Sequence, residues 1–162
     1  MNKLKLAIVS CGFLGCSPFA PGTVGTLGGV AIAFLLRGTQ WFPLWALLAC
    51  VILYAISQPL GDWAERYAGK KDPGIFVMDE VIGYLITIVW MKGPSYLALT
   101  VAFFVFRFFD ILKPPPARAM EKIRGGHGII LDDVMAGLWG LLVVMVPARL
   151  LLSDVTWTVG GP

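Results

Sequence analysis

The sequence predicts an all-α fold, a polytopic membrane bundle of about five hydrophobic helices, and two observations support this. Hydrophobic residues make up 57% of the chain and charged residues only 14%, whereas soluble domains are typically ~25% charged. The other observation is a series of closely spaced apolar runs, at residues 24–36, 41–60, 81–91, 95–106 and 134–152. The length of 162 residues suits a single domain over residues 1–162.

Three of the five runs are too short to cross a bilayer by themselves, so we expect some helices to be short or re-entrant. A spanning helix needs about 20 apolar residues, and only the second and fifth runs approach that length. The third run gains length only by including Asp79 and Glu80, and the fourth only by continuing through Arg107 and Asp110. Ionisable groups at the membrane edge are costly unless paired, solvated or metal-bound, which makes these four candidate functional residues.

The basic residues predict how the chain is oriented. Lysine and arginine are concentrated after the second run and after the fourth run, and loops rich in them usually stay in the cytoplasm. Five crossings then place the N-terminus, with Lys3 and Lys5, inside and the C-terminus outside. The first residues also resemble a secretory signal, but the shaped polar loop at 17–29 that follows favours an uncleaved N-terminus.

Composition argues against several other classes of protein. The net charge is only +3, and no basic tract with interleaved aromatic residues indicates nucleic-acid binding. The three cysteines, Cys11, Cys16 and Cys50, form no Cys-x-x-Cys pair and predict neither a zinc site nor a disulfide framework. No Cys-x₅-Arg loop is present, which argues against a phosphocysteine mechanism. Lipids or small solutes are therefore the expected partners.

Small residues recur at intervals of four in two of the apolar runs. Gly25, Gly29 and Ala33 would form one smooth stripe on a helix, as would Ala136 and Gly140. Such stripes allow close helix contacts in membranes. They also fit the generally high glycine content of membrane helices.

The acidic residues cluster on the predicted inner side of the membrane. The doublets Asp79-Glu80 and Asp132-Asp133 are each interpreted as the start of an apolar helix, where the helix dipole favours negative charge. A lone acid there can simply cap the helix, but two doublets in low dielectric repel each other unless a cation lies between them. Oxygen ligands without a histidine or cysteine cluster favour Mg²⁺, which usually shares its shell with phosphate.

The segment FRFFDILKPPP, residues 106–116, ends an apolar run with three charges and three prolines. Arg107 and Asp110 are one helical turn apart and can pair with each other. Alternatively, Asp110 orients Arg107 or binds metal, while the planar guanidinium of Arg107 holds a phosphate oxygen. Lys113 precedes Pro114 and should leave the helix, which places its ammonium at the mouth of the acidic cluster.

Two glycine-containing segments are weaker candidates for anion binding. In SPFAPGTVGTLGG, residues 17–29, Thr23 and the backbone amides before a helix could receive a phosphate, although capping by Thr23 explains the pattern almost as well. In GGHGIILDD, residues 125–133, the amides could form an anion nest or a plain turn. His127 lies in this segment, but a lone histidine is seldom catalytic without a partner, and we assign it no role.

An inward-facing site with carboxylates for a metal and basic groups for an anion suits hydrolysis of a phospholipid phosphate monoester. The competing class is a small ion-coupled transporter or channel that uses intramembrane carboxylates. The one-sided cluster and the lack of an internal repeat favour the enzyme, because transporter sites usually lie near the midplane between repeats. A structural membrane subunit would leave the acidic doublets unexplained.

Three segments, SPFAPGTVGTLGG, VMDEVIG and FRFFDILKPPPARAMEKIRGGHGIILDDVMAG, resemble the phosphatidylglycerophosphatase A family, and the likeness runs from about residue 12 to about residue 140. The resemblance implies a Mg²⁺-dependent, multi-pass phosphatase of a bacterial inner membrane whose site faces the cytoplasm. Its substrate would be phosphatidylglycerophosphate and its products phosphatidylglycerol and phosphate.

The family motifs fall on charged residues already singled out, namely Asp79, Glu80, Asp110, Asp132, Asp133, Arg107 and Lys113. In this interpretation Asp79, Glu80, Asp132 and Asp133 supply the metal ligands and the base. Arg107 and Lys113 bind phosphate, with Thr23 as a further candidate, and Asp110 serves either group.

Overall fold

The computed structural model describes residues 2–120, 122, 123, 125–151 and 157 of the chain. Within these residues the fold is all-helical, as predicted, and contains no β-strand. The α-helices, in chain order, are α1 (Asn2–Val9), α2 (Pro21–Leu36), α3 (Phe42–Ser57), α4 (Gly61–Ala68), α5 (Met78–Ile88), α6 (Tyr96–Leu112), α7 (Ala117–Met120), α8 (Gly126–Gly140) and α9 (Val146–Leu151). Short 3₁₀ turns lie at Leu14–Cys16 and Gln58–Leu60, and a π-helical turn lies at Leu141–Met145.

Two continuous helical stretches in the described part of the chain are long and apolar enough to cross a membrane. The first, Phe42–Ala68, joins α3 to α4, and the second, Gly126–Leu151, joins α8 to α9. They correspond to the second and fifth apolar runs, which the sequence identifies as the only long ones. The apolar α2, Pro21–Leu36, is shorter. These two stretches are consistent with a membrane bundle. The number of about five crossings stays a prediction.

Helix α5 lies in the middle of the bundle and packs against α2, α3, α6 and α8. Its side chains Val81, Tyr84, Leu85 and Ile88 are completely buried. The helix begins with Asp79 and Glu80 in its first turn, as predicted. Its 11 residues extend only about 17 Å, well short of the ~30 Å hydrocarbon core. The third apolar run is therefore a buried central helix.

Helix α6 carries its charges at its C-terminal end. It starts at the N-cap Ser95, whose hydroxyl accepts a hydrogen bond from the Ala98 N–H, and it continues through Arg107 and Asp110 to Leu112. Lys113 follows with a φ of 47° and so leaves the helix before Pro114, as the sequence predicts. The charged end of α6 is thus fixed beside the first turn of α5.

Glycines let the backbones of neighbouring helices approach closely. A Cβ atom at Gly25 would lie 2.4 Å from the Cβ of Val77, and one at Gly29 would lie 2.9 Å from the Tyr84 ring. The predicted small-residue stripe on α2 therefore packs against α5, at its N-cap Val77 and at Tyr84. Gly140 of the second stripe similarly faces Thr87 on α5.

One prediction about the helix ends is wrong. The doublet Asp132-Asp133 lies in the middle of α8, because this helix begins at Gly126. The segment 125–133 is consequently helix after Gly125, whose φ of 71° marks the turn, and it forms no extended glycine loop. Gly126 and Gly128 serve close packing instead, since Cβ atoms there would lie 2.0 Å from the carbonyl oxygens of Gln58 and Ile123 respectively.

Candidate functional site

The site forms where α5 and α8 cross, and glycines make the crossing close. A Cβ atom at Gly137 would lie 2.4 Å from the carbonyl oxygen of Gly83. Asp79 and Asp133 each lie four residues, or about one helical turn, before these two glycines. The close contact at Gly83 and Gly137 therefore brings the two acidic turns together.

Three carboxylates converge next to this crossing. Oxygen atoms of Asp79, Glu80 and Asp133 all lie within 4.8 Å of one another, a spacing that could hold a metal ion. The side chains of Asp79 and Asp133 are buried, with exposed fractions of 5% and 3%. Such like charges out of water repel strongly unless a cation or shared protons compensate them.

Helix α6 adds Arg107 and Asp110 to the same region. The Nη1 atom of Arg107 lies 2.6 Å from Oδ2 of Asp110, so the predicted pairing between these two residues is present. The Asp110 carboxyl group is also buried and lies beside those of Asp133 and Glu80. Asp110 therefore links the arginine to the three-carboxylate cluster.

Polar atoms in this region are buried without a hydrogen-bond partner. They include Oε2 of Glu80 and both Nε and Nη1 of Arg107. The Nη1 atom forms the ion pair with Asp110 described above but makes no hydrogen bond. Buried unpaired atoms of this kind are costly, and a cation beside Glu80 and an anion beside Arg107 would offset that cost.

Lys113 and Asp132 form a separate ion pair at the edge of the cluster. The Lys113 Nζ donates to Oδ2 of Asp132 at 2.6 Å. Successive residues on a helix point about 100° apart, and Asp132 accordingly lies outside the group formed by Asp79, Glu80 and Asp133. Its second oxygen, Oδ1, is buried without a hydrogen-bond partner.

The N-terminus of α2 also faces the cluster. A Cβ atom at Gly22 would lie 2.3 Å from Oε1 of Glu80 and 3.2 Å from Nη1 of Arg107. Thr23 is the next residue in this first turn. The N-cap is Ala20, in a left-handed conformation with no side-chain cap, so the alternative in which Thr23 caps the helix is wrong. The first N–H groups of a helix lack intrahelical partners and favour anions.

A cleft of about 230 Å³ opens beside Asp132. Lys71 and Asp72 line it together with Gly128 and Ile129, and Asp72 is an electrostatic neighbour of both Asp79 and Asp132. Lys71 and Asp72 follow the second apolar run and are not among the candidate residues predicted from the sequence. The sequence feature that could have identified them is the run KKDPG, residues 70–74, in which three charged residues immediately precede a proline and a glycine.

The remaining reactive side chains lie outside the cluster. His127 is exposed and hydrogen-bonds to the hydroxyl of Tyr54, which agrees with leaving it unassigned. Cys11 follows α1, and burial raises the pKa of its thiol, which disfavours a nucleophilic thiolate. In the described part of the chain, this region offers carboxylates, the basic side chains of Arg107, Lys113 and Lys71, and the first N–H groups of α2.

This chain is similar to known lipid phosphatases. The family model described as phosphatidylglycerophosphatase A matches residues 7–148. A Bacteroides thetaiotaomicron protein with the provisional name phosphatidylinositol-3-phosphatase is 36% identical over 149 residues, which are 86% of this chain and 91% of that protein.

Two relatives carry the name phosphatidylglycerophosphatase A. The Haemophilus influenzae protein is 35% identical over 150 residues, covering 89% of this chain and 88% of the relative. The Escherichia coli protein is 32% identical over 146 residues, covering 85% and 82%. No solved structure is significantly similar to this chain.

Proposed function

Because the chain belongs to the phosphatidylglycerophosphatase A family, we propose that it hydrolyses the terminal phosphate monoester of phosphatidylglycerophosphate. The products are phosphatidylglycerol and inorganic phosphate, in phospholipid biosynthesis. The observation that carries this proposal is the cluster of Asp79, Glu80 and Asp133, with Arg107 beside it. Carboxylates next to a guanidinium whose buried Nε has no hydrogen-bond partner suit a phosphate substrate better than an ion-transport path at the midplane.

Asp79, Glu80 and Asp133 are the proposed ligands of Mg²⁺. The donors are all carboxylate oxygens, the type that this hard ion prefers, and the buried Oε2 of Glu80 lacks any other partner. When bound, the ion supplies positive charge that offsets the carboxylates and polarises a P–O bond. Asp110 holds Arg107 in place beside these carboxylates through their 2.6 Å contact.

The phosphate group is held by Arg107, by Lys113 and by the first turn of α2. The guanidinium has a buried Nε atom without a hydrogen-bond partner, and its planar fork matches phosphate oxygens. Gly22 places the N-terminal turn, including Thr23, against the same guanidinium. Lys113 adds positive charge from the edge, where its Nζ is also fixed by Asp132.

Asp132 is the proposed general base. Its Oδ2 accepts from Lys113 and its buried Oδ1 has no hydrogen-bond partner. Asp132 also lines the cleft, through which water can enter. Asp132 accepts a proton from the attacking water as the new P–O bond forms. The ester P–O bond breaks, the departing glycerol oxygen takes up a proton from solvent, and Asp132 later releases its proton to solvent, so that protons balance.

We further infer a multi-pass location in a bacterial inner membrane, with the site facing the cytoplasm. Two helical stretches have sufficient length, and large apolar side chains such as Leu47, Val51, Phe104 and Phe108 are exposed. Extensive exposed apolar surface is unusual for soluble monomers. Basic residues on the loops near the site, including Lys70 and Lys71, support the cytoplasmic orientation.

The Bacteroides relative favours a second candidate substrate, phosphatidylinositol 3-phosphate, which also carries a phosphate monoester. The test is phosphate release by the purified protein from each lipid in detergent micelles at equal surface concentration. We expect a higher kcat/KM for phosphatidylglycerophosphate. A preference for the inositol lipid would change the substrate, and no release from either would contradict the phosphatase proposal.

A further inference from the structure

An apolar groove of about 510 Å³ runs between α2 and α6. Leu27, Ala31 and Phe34 line it from α2, and Tyr96, Thr100 and Phe103 line it from α6. The groove does not overlap the acidic cluster, and the activity proposed above does not use it. Its position relative to that cluster indicates what it binds.

Both walls of the groove lead to the proposed phosphate-binding end. On α2, Thr23, Leu27 and Ala31 recur every four residues and so share one face of the helix. On α6, Phe103 precedes Arg107 by the same interval. The groove therefore begins about one turn, or ~5.4 Å, from Thr23 and from Arg107.

Arg37 closes the opposite end of the groove. Its guanidinium carbon lies 4.3 Å from the ring centre of Phe34 and 4.0 Å from that of Tyr96. Its Nη2 atom also donates to the Tyr96 hydroxyl at 2.8 Å. From Leu27 to Phe34, α2 rises about 11 Å, which gives the approximate length of the groove. One end of the groove lies near the acidic cluster, and Arg37 lies at the other end.

The groove walls suit hydrocarbon and no polar ligand. The hydroxyl of Thr100 donates to the Tyr96 carbonyl oxygen within its own helix, at 2.9 Å, and the Tyr96 hydroxyl is bonded to Arg37. Both lining hydroxyls thus already have a protein partner, the other lining side chains are apolar, and burying a polar ligand group against them without a partner would be costly.

We propose that this groove binds one acyl chain of the same lipid molecule whose phosphate lies at the acidic cluster. The inference rests on the proposed function and deepens it. Contacts to a part of the substrate remote from the reacting bond can hold the phosphate in place and raise the rate of hydrolysis. The groove would thereby distinguish a membrane lipid from a soluble phosphate ester.

The test fills the groove with a bulky side chain. Ala31 is exposed on the groove floor, so Ala31→Trp obstructs the groove without entering the core. Leu35→Trp is the matched control, because Leu35 is on the same helix, is 77% exposed and does not line the groove. Each variant is assayed on long-chain phosphatidylglycerophosphate and on a short-chain, water-soluble form with the same headgroup.

We expect Ala31→Trp to lower kcat/KM for the long-chain lipid about tenfold or more. On the short-chain form it should stay within about twofold of the unaltered protein, as surface substitutions usually do. Leu35→Trp should stay within the same range on both substrates. Thr100→Trp, which obstructs the groove from the opposite wall, should reproduce the selective loss.

Two results would overturn the groove assignment while leaving the phosphatase proposal intact. One is equal long-chain activity in Ala31→Trp and Leu35→Trp, and the other is an equal loss on both substrates in both groove variants. Failure of the unaltered protein to hydrolyse either substrate would instead overturn the proposed function, and the groove assignment with it.

Discussion

Lys113 and Asp132 show how a single pair of residues links stability to the proposed chemistry. The Asp132 side chain is almost fully buried, whereas Lys113 is about one quarter exposed. Their 2.6 Å contact places a positive charge beside a buried carboxylate that already has the acidic side chains of Asp72 and Asp133 as electrostatic neighbours. Removing the lysine leaves that carboxylate without its closest cation.

We predict that Lys113→Met lowers the free energy of unfolding by roughly 1–3 kcal/mol, the usual cost of leaving a buried charged group unpaired. The double variant Lys113→Met, Asp132→Asn should recover part of the lost unfolding free energy, because the uncompensated carboxylate is gone. It should be inactive, because it lacks the proposed general base. Thermal unfolding in detergent and phosphate release measure the two effects. Equal stability of the single variant and the unaltered protein would show that the pair contributes nothing.

At the scale of helices, the crossing of α5 and α8 determines where the carboxylates lie. Gly83 and Gly137 allow the two backbones to touch, and the Gly83 position is also enclosed by the Phe106 ring. The first turn of α5 and the middle of α8 meet only because no side chain separates these helices.

We predict that Gly137→Ala destabilises the protein by about 1–3 kcal/mol, as overpacking of a tight core does, and lowers activity by separating Asp79 from Asp133. The added Cβ would lie 2.4 Å from the Gly83 carbonyl oxygen. Gly38→Ala is the control, since nothing lies within 4 Å of a Cβ there. Unchanged melting and unchanged kcat/KM in Gly137→Ala would contradict this view of the crossing.

The end of α6 was predictable from the spacing of its residues along the sequence. The interval between Arg107 and Asp110 places both on one face of α6 and predicts their pairing, and Pro114 predicts that Lys113 leaves the helix. The start of α8 was not predictable, because Gly125, Gly126 and Gly128 read as a loop. In the structure the last two allow close packing of helix α8 against Gln58 and Ile123.

Tertiary packing determined the parts of the site that local patterns could not show. Adjacent acids such as Asp132 and Asp133 point in different directions on a helix, and only the crossing with α5 selects which one joins Asp79 and Glu80. Asp72 lies near Asp79 and Asp132 because a loop folds over the site. The pattern of charges therefore predicted which residues gather, and packing decided which atoms meet.

At the scale of the molecule, the described residues form a helical bundle whose buried carboxylates are gathered at one end of the central α5. Most side chains of the central α5 are buried, and α2 and α6 bring their own polar ends to its acidic start. Apolar helices with a carboxylate cluster at one end suit a protein that acts on lipid headgroups while its helices contact acyl chains.

The most direct test of the central claim is Mg²⁺-dependent phosphate release from phosphatidylglycerophosphate by the purified protein and by its Asp79→Asn and Asp133→Asn variants. Asp62→Asn is the matched control, because Asp62 is exposed and lies outside the three-carboxylate cluster. We predict release that requires Mg²⁺, falls by at least about 100-fold in both cluster variants, and persists in the control. Metal-independent release, or full activity in either cluster variant, would contradict the account.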